Sequence, residues 1–237
     1  NEDLLNGILE ENDRPWIIFG PAGAQVERYI AGLENLGAEV SHVQPDIEED
    51  PCETVVIRNT LREGAILVFI GNDPSGLFDY IDSHPTGKVI IEAFQNALLS
   101  TIMIGNDAML AGAIRVTNNR DDEMNAYYGD LAFSEGIGLL PSAIVLTEVY
   151  DPSSTDFYEN NTQAGIFALI DGQLGNALYL NERSWIHISP VESLTQIRSG
   201  GDYAAMRLKN NGRLGATADQ PVDAGGNSRN VVGYDQI

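Results

Sequence analysis

Basic residues are scarce in this sequence. Of 237 residues only 13 are Lys or Arg, against 35 Asp or Glu, for a formal net charge of −22. Lys88 and Lys209 are the only lysines. A surface this acidic repels phosphate, which excludes nucleic acid as a partner and argues against anionic membrane surfaces. Cysteine is nearly absent too. Cys52 stands alone, so no internal disulfide can form and a cysteine-based metal site is excluded. The histidines are His42, His84 and His187, and no pair of them has metal-ligand spacing, which argues against zinc. Nothing in the pattern implies a cofactor. No apolar run approaches the roughly 18–20 residues of a membrane-spanning helix. The chain opens on Asn1 with no signal-like apolar stretch behind it, as a processed or trimmed chain would, and its first residues say nothing about compartment. Carboxylate excess with few lysines fits a protein from a high-salt or marine setting, where salt screens the repulsion. It fits an ordinary acidic, soluble protein equally well, and the localisation stays open.

What is present is enough apolar material for a sizeable core, 43% of the residues. The length suits one large domain or two small ones. Asn1–Arg14 is an acidic arm with one apolar cluster, Leu4, Leu5, Ile8 and Leu9, spaced for a short docking helix. From residue 15 a rhythm sets in. Trp16–Phe19, Val40–Val43, Ala65–Ile70 and Thr101–Ile104 read as strands, three of them closed by Gly-containing turns or loops. Between them, Ala24–Leu36 sets Val26, Ile30, Leu33 and Leu36 on one helical face before Gly37, and Thr54–Arg62, Ser75–Ile81 and Val89–Leu99 also read as helices. Asp46–Asp50 is an acidic loop. A small-residue helix is predicted from Ala108 to about Val116. Strands alternating with helices predict an α/β fold with a doubly wound, mostly parallel sheet and helices on both faces. After Asn118 the rhythm loosens. Asn118–Glu123 is a charged loop, Ala143–Val149 a strand, Thr155–Asn161 a loop or short helix. Ala164–Ile170, Ala177–Leu180 and Trp185–Ile188 are short strands of a mixed or antiparallel sheet end. Residues 210–237, rich in Gly, Asn, Asp and Ala, read as an extended or disordered tail. The expected organisation is an arm over 1–14, a single α/β domain over 15–209 and a tail over 210–237.

Ligands of open parallel sheets bind at the carboxyl ends of the strands. Two such ends stand out: Gly71-Asn72-Asp73 and Gly105-Asn106-Asp107-Ala108. The second has the form of a nucleophile elbow, a sharp strand-to-helix turn that lifts one side chain over the sheet, here Asp107. Asp before a helix is equally an ordinary N-cap. Asp121-Asp122-Glu123 reads as a solvated charge run, and Asn160-Asn161-Thr162 has the form of a glycosylation sequon.

The order of these segments resembles the cyanophycinase-like and dipeptidase E-like serine peptidases (the S51 family), which have a class I glutamine amidotransferase-like, three-layer fold. Leu67–Asp73 is similar to that family's apolar strand ending in Gly-Gly-Asp/Asn-Gln. Ile104–Leu110 sits where the family carries its Gly-Thr-Ser-Ala-Gly-Ala elbow. Gly136-Ile137-Gly138-Leu139-Leu140-Pro141, followed by Ile144–Val149, is similar to Gly-Leu-Gly-Leu-Leu-Pro and a strand ending in Asp-Gln-His-Phe. Gly165–Leu178 resembles more loosely the segment Gly-Ile-Gly-Ile-Asp-Glu-x-Thr-Ala-Leu. The resemblance spans roughly residues 15–190. It implies that the serine position is Asp107 and the histidine position Glu148, which would lie near each other. It makes Gly71, Asn72, Asp73, Gly105, Asn106, Asp107, Ala108 and Glu148 a vestigial pocket. The following Gln is replaced by Pro74, the residues after Ala108 are the bulky Met109 and Leu110, and the strand expected before Trp16 is missing or replaced by the arm.

Serine catalysis needs a hydroxyl and a base that takes its proton near neutral pH. A carboxylate at the elbow has no proton to give, and a glutamate matches the base only if strongly desolvated. Ser100 and Ser142, before or at the start of strands, offer no replacement. The expectation is therefore a catalytically inactive domain of this type acting as a binding or structural subunit, with a protein partner or a second copy held through the arms 1–14 and 210–237. Two alternatives stay open. One is an active cyanophycinase-like hydrolase with an altered site. The other is a carboxylate-lined divalent-cation module built on Asp107 and Glu148.

Overall fold

The computed structural model describes residues 14–45, 51–149, 158–171, 174–181, 183–191, 194–202, 205–213 and 230–236. The docking helix expected at Leu4–Leu9, the loop at Asp46–Asp50 and most of the two proposed arms lie outside these residues. Contacts cluster into two compact units, Asn1–Ala108 and Met109–Ile237, where the sequence leads one to expect a single domain over 15–209.

The first unit is built on the predicted alternation: β1 (Trp16–Phe19), α1 (Ala24–Asn35), β2 (Val40–Val43), α2 (Pro51–Glu63), β3 (Ala65–Gly71), α3 (Pro74–Ser83), α4 (Pro85–Gln95) and β4 (Leu99–Gly105). The strands are ordered β2-β1-β3-β4 and every ladder is parallel. The continuous apolar runs follow from burial on both faces. Trp16 and Ile18 of β1 join Ile66, Val68 and Ile70 of β3 against Val26 and Leu33 of α1. The alternate residue Phe19 packs on Phe69 and on Tyr80 of α3. Each of the last two helices begins on a side-chain cap followed by proline. Asp73 Oδ1 accepts from Gly76 N–H at 3.0 Å, and His84 Nδ1 accepts from Thr86 N–H at 3.3 Å. His84, whose ring also stacks on Tyr80, is thus a structural cap. Helix α4 starts four residues before the predicted Val89 and stops at Gln95, because Ala97 enters the left-handed region (φ 56) and the chain turns into β4.

The second unit holds a six-stranded sheet, ordered β12-β11-β8-β7-β5-β6, and a separate hairpin of β9 (Ser184–Val191) with β10 (Leu194–Gly201). Its sheet comprises β5 (Gly112–Val116), β6 (Phe133–Glu135), β7 (Leu140–Leu146), β8 (Asn176–Tyr179), β11 (Met206–Arg213) and β12 (Asn230–Gln236). Strands β5, β7 and β8 run parallel, and β6, β11 and β12 are antiparallel to their neighbours, so the sheet is mixed, but its antiparallel strands are not the ones the sequence leads one to expect: of the expected strands, 177–180 supplies β8 and 185–188 lies in the separate hairpin. Strands β11 and β12 place residues 210–213 and 230–236 of the expected tail in a paired ladder. The one-turn helix α5 (Asn125–Tyr128) and the longer α6 (Tyr158–Ile170) complete the unit.

Two predictions are corrected here. Residues 164–170, expected as a strand, belong to α6. Asn160, Asn161, Ala164, Ala168 and Leu169 are all buried, a spacing that only a helix makes into one face. The segment expected as a helix over 108–116 is a 3₁₀ turn, Asn106–Ala111, followed by β5. In β5, Ile114 and Val116 face a core of Ile144, Leu146 and Tyr179, a two-residue period suited to β-branched side chains.

The first unit's sheet is wholly parallel and the second's is mixed around the parallel strands β5, β7 and β8, and with the helices packed on them the fold is of the α/β class expected. Among the described residues no helix is long and apolar enough to cross a membrane.

Candidate functional site

In the order β2-β1-β3-β4, the chain steps from β1 to β2 on one side and from β3 to β4 on the other, which makes the β1/β3 junction the topological switch point where a crevice opens beyond the strand ends. A cleft of about 460 Å³ lies there, lined by residues 21–26 of the first loop and helix and 70–73 at the end of β3. Gly23 is the N-cap of α1 and supplies no side-chain acceptor, so the first-turn N–H groups of that 12-residue helix have no intrahelical partner and no side-chain cap. His42 lies on the neighbouring strand with Nε2 3.0 Å from the Gly20 carbonyl oxygen. The lining contains no Ser, Thr, Cys or His. The sequence pointed to the ends of β3 and β4 and missed Pro21–Val26. The signal was the turn Gly20-Pro21-Ala22-Gly23 directly after the first buried strand.

Behind the cleft the expected pocket residues of the first unit do come together. Gly71 pairs in register with Gly105 across β3 and β4. Asn72 Oδ1 accepts from Asn106 N–H at 3.3 Å. Gly105 has φ 76, and a Cβ on it would stand 2.6 Å from the Gly71 carbonyl oxygen, so the turn admits glycine alone. Asp107 reaches over Gly71 and fills the space a side chain there would need, its Oδ2 lying 2.5 Å from the position of a Cβ. Ala108 follows in the same turn and is buried.

Asp107 is only 4% exposed. Burial raises its pKa from 3.8 to about 6, the negative charge of Asp73 adds to the rise, and a hydrogen bond accepted from the Asp73 backbone N–H partly offsets it. Its Oδ1 has no hydrogen-bond partner. Neither anticipated setting of Asp107 is found. It does not cap an α-helix, a role that falls to Asp73 at the start of α3, and the 3₁₀ turn that carries it leads into the strand β5 rather than into the helix of a nucleophile elbow. Met109 and Leu110, the bulky residues that follow Ala108, are core residues at 4% and 0% exposure.

Glu148 belongs to the second unit, one residue before Val149 and outside β7. Its backbone is left-handed (φ 54), an uncommon state for a residue with a Cβ. Its carboxylate forms an ion pair with Arg120 at a half-exposed position. Two adjacent asparagines of α6 hold this corner. Asn161 Nδ2 donates to the carbonyls of Thr147 (2.8 Å) and Glu148 (3.3 Å), and its Oδ1 accepts from Asn119. Asn160, fully buried, donates to the carbonyls of Asn119 (2.9 Å) and Asp122 (2.8 Å) and accepts from Ala126 N–H at 2.9 Å. Its side chain is committed inside the fold, where no glycan could be attached, so Asn160-Asn161-Thr162 is not a glycosylation site. This asparagine clip was missed by the sequence reading, although two neighbouring amides ahead of an apolar run were its signal.

The remaining sequence candidates are structural or exposed. Ser100 Oγ accepts from Arg14 at 2.6 Å, and Ser142 Oγ accepts from Gly175 N–H at 3.1 Å. His187 and the run Asp121–Glu123 are exposed. Among the described residues no group of three or more His, Cys, Asp or Glu side chains is disposed to hold a metal ion.

No protein-family model matches this chain. No curated protein matches it either. Its fold is similar to a crystal structure of a protein from Listeria monocytogenes EGD-e provisionally named peptidase E, with a TM-score of 0.51 and 14% identity over 82% of this chain and 91% of that one. At that identity the likeness shows the fold, a peptidase E-like α/β architecture, and nothing finer.

Proposed function

We propose that this chain is a non-catalytic domain of peptidase E-like fold that works by binding, as a subunit of a protein assembly, and does not cleave peptides. The observation that carries the reading is Asp107: at the turn after β4, where the resemblance puts a serine, stands a buried carboxyl group with one oxygen unpartnered. Acyl transfer from a peptide needs a nucleophile that gives up a proton to a base and then carries the acyl group. A carboxylate with a pKa near 6 is already deprotonated at neutral pH. The glutamate at the histidine position is tied to Arg120 and has no imidazole to shuttle a proton. Loss of either member of such a unit costs several orders of magnitude in rate.

The test is labelling by a fluorophosphonate that modifies activated serines, with a working serine peptidase as positive control, and peptide cleavage followed in parallel. The expected outcome is no labelled serine and no cleavage. A single labelled serine together with cleavage would overturn the reading.

A further inference from the structure

Among the described residues of the second unit, four of the five exposed large apolar side chains lie in one excursion of the chain, the fifth being Ile170. Met124, Tyr127, Tyr128 and Phe133 are 37%, 79%, 66% and 36% exposed, all within ten residues between β5 and the end of β6. A tyrosine at 79% exposure on a floppy loop would mean little. This excursion is braced. Ala126, buried at the middle of α5, donates its N–H to Asn160 Oδ1, and that anchoring turns Tyr127 and Tyr128 outward. Asn118 holds the return strand through Asp130 O (2.8 Å) and Ala132 N–H (2.7 Å), and Asn125 Nδ2 donates to Asn118 O at 2.7 Å. The two tyrosine rings stand edge to face with centroids 5.3 Å apart. Rings held out on a rigid frame are ordered before any partner arrives, so little side-chain entropy remains to be lost on binding.

The charge around the rings selects the partner. Asp121, Asp122, Glu123, Asp130 and Glu135 on the same excursion are all exposed. Arg120 is the only basic residue between Thr117 and Gly138, and Glu148 already engages it. Tyrosine faces attract cations, and carboxylates beside them supply ion pairs. A second copy of this chain, at net charge −22, would bring acid against acid.

We propose that the Asp121–Glu135 excursion is a docking surface for a partner protein segment rich in Arg or Lys, with Tyr127 and Tyr128 as its anchors. The surface is independent of whether the chain is catalytic. Aromatic anchors inside a charged rim are the usual anatomy of an interface hot spot.

The experiment uses the intact chain, a fluorescein-labelled peptide of alternating Arg and Leu, and its Glu–Leu counterpart, read by fluorescence anisotropy at low and high salt. The Arg peptide binds and is weakened by salt, and the Glu peptide does not bind. The double variant Tyr127→Ser/Tyr128→Ser, which leaves the net charge unchanged, weakens binding about tenfold. The control Val55→Ser/Val56→Ser, at exposed positions of α2, leaves it unchanged. If the tyrosine variant does not fold, Asp121→Asn/Asp122→Asn/Glu123→Gln takes its place and must also weaken binding. Three outcomes overturn the proposal: equal binding of both peptides, full binding by the tyrosine (or substitute acidic) variant, or a concentration-dependent dimer that the tyrosine variant abolishes. The last would assign the surface to a second copy.

Discussion

The substitution Asp107→Asn should make the protein more stable at neutral pH, and by an amount that depends on pH in a defined way. The folded-state pKa of about 6 lies above the ordinary 3.8. Below about pH 3.8 the carboxyl is protonated in both folded and unfolded chains and its burial is uncharged. As the pH rises from there to about 6, the unfolded chain loses the proton first, so stability falls; above about 6 both forms are ionised and the loss is complete. A rise of that size corresponds to at most about 3 kcal/mol of lost stability, at 1.36 kcal/mol per pKa unit. Roughly half of it, about 1.4 kcal/mol, develops between pH 5 and pH 8. Asparagine has nearly the same shape, can still accept from the Asp73 N–H and never ionises. The difference in unfolding free energy between variant and parent should therefore grow in favour of the variant by about that much across this interval, whatever constant cost the exchange carries. Urea melts of both proteins at pH 5, 6.5 and 8, with unchanged m-values, measure it. A difference that does not move with pH would show that Asp107 titrates as an ordinary surface carboxylate, and the account of a desolvated acid at this turn would be wrong.

The two helix ends that share one hydrogen-bond pattern give a second prediction. Gly37 donates to Glu34 O and Ala38 to Leu33 O at the end of α1, while Ala97 donates to Phe94 O and Leu98 to Ala93 O at the end of α4. Both residues are left-handed, but only the first is glycine. Ala97→Gly should raise unfolding free energy by about 0.5 kcal/mol, and Gly37→Ala should lower it by a similar amount, in thermal or urea unfolding. Asn160→Ala removes three hydrogen bonds, one buried and two partly buried, and leaves Ala126 N–H without its acceptor, so it should cost about 3 kcal/mol, read as a lower urea midpoint.

The first unit was legible because its strands are covered on both faces. Trp16–Phe19 and Ala65–Ile70 are apolar without interruption, and a short unbroken apolar run between glycine and helix periodicity has few other uses. The same logic failed at residues 164–170. An apolar run of seven residues carries no period of its own, and the helical one emerges only when the buried amides of Asn160 and Asn161 are counted with Ala164 and Ala168. Those amides look exposed in a sequence because their satisfaction depends on carbonyls of Asn119, Asp122 and Thr147, contributed by chain 14–41 residues away. The 3₁₀ turn and β5 were hidden for a related reason. Small residues in Ala108–Ala113 suit a helix locally, and it is the parallel ladder with β7 that draws Gly112–Val116 into a strand.

The chemistry at the end of β4 was legible in kind and not in setting. A carboxylate in a glycine-rich turn reads from sequence as a cap or as a displaced nucleophile, since both need Asp at the start of a helix. The structure puts no α-helix there. What fixes the state of Asp107 is that Gly71, thirty-six positions earlier, has no side chain, and the carboxyl group occupies the space left open. The missing Cβ at 71 and the buried acid at 107 are one feature: any side chain at 71 would have to displace the carboxylate, and a serine at 107 would leave part of that space empty. The pair argues that the acid is fitted to this turn and is not a surface residue drifting through a lost active site. It follows that Gly71→Ala and Asp107→Ser should each destabilise the fold when made alone, and that Asp107→Ser should restore no peptidase activity. Recovered cleavage in Asp107→Ser would mean that a catalytic base still stands within reach of the turn, against the binding role argued above.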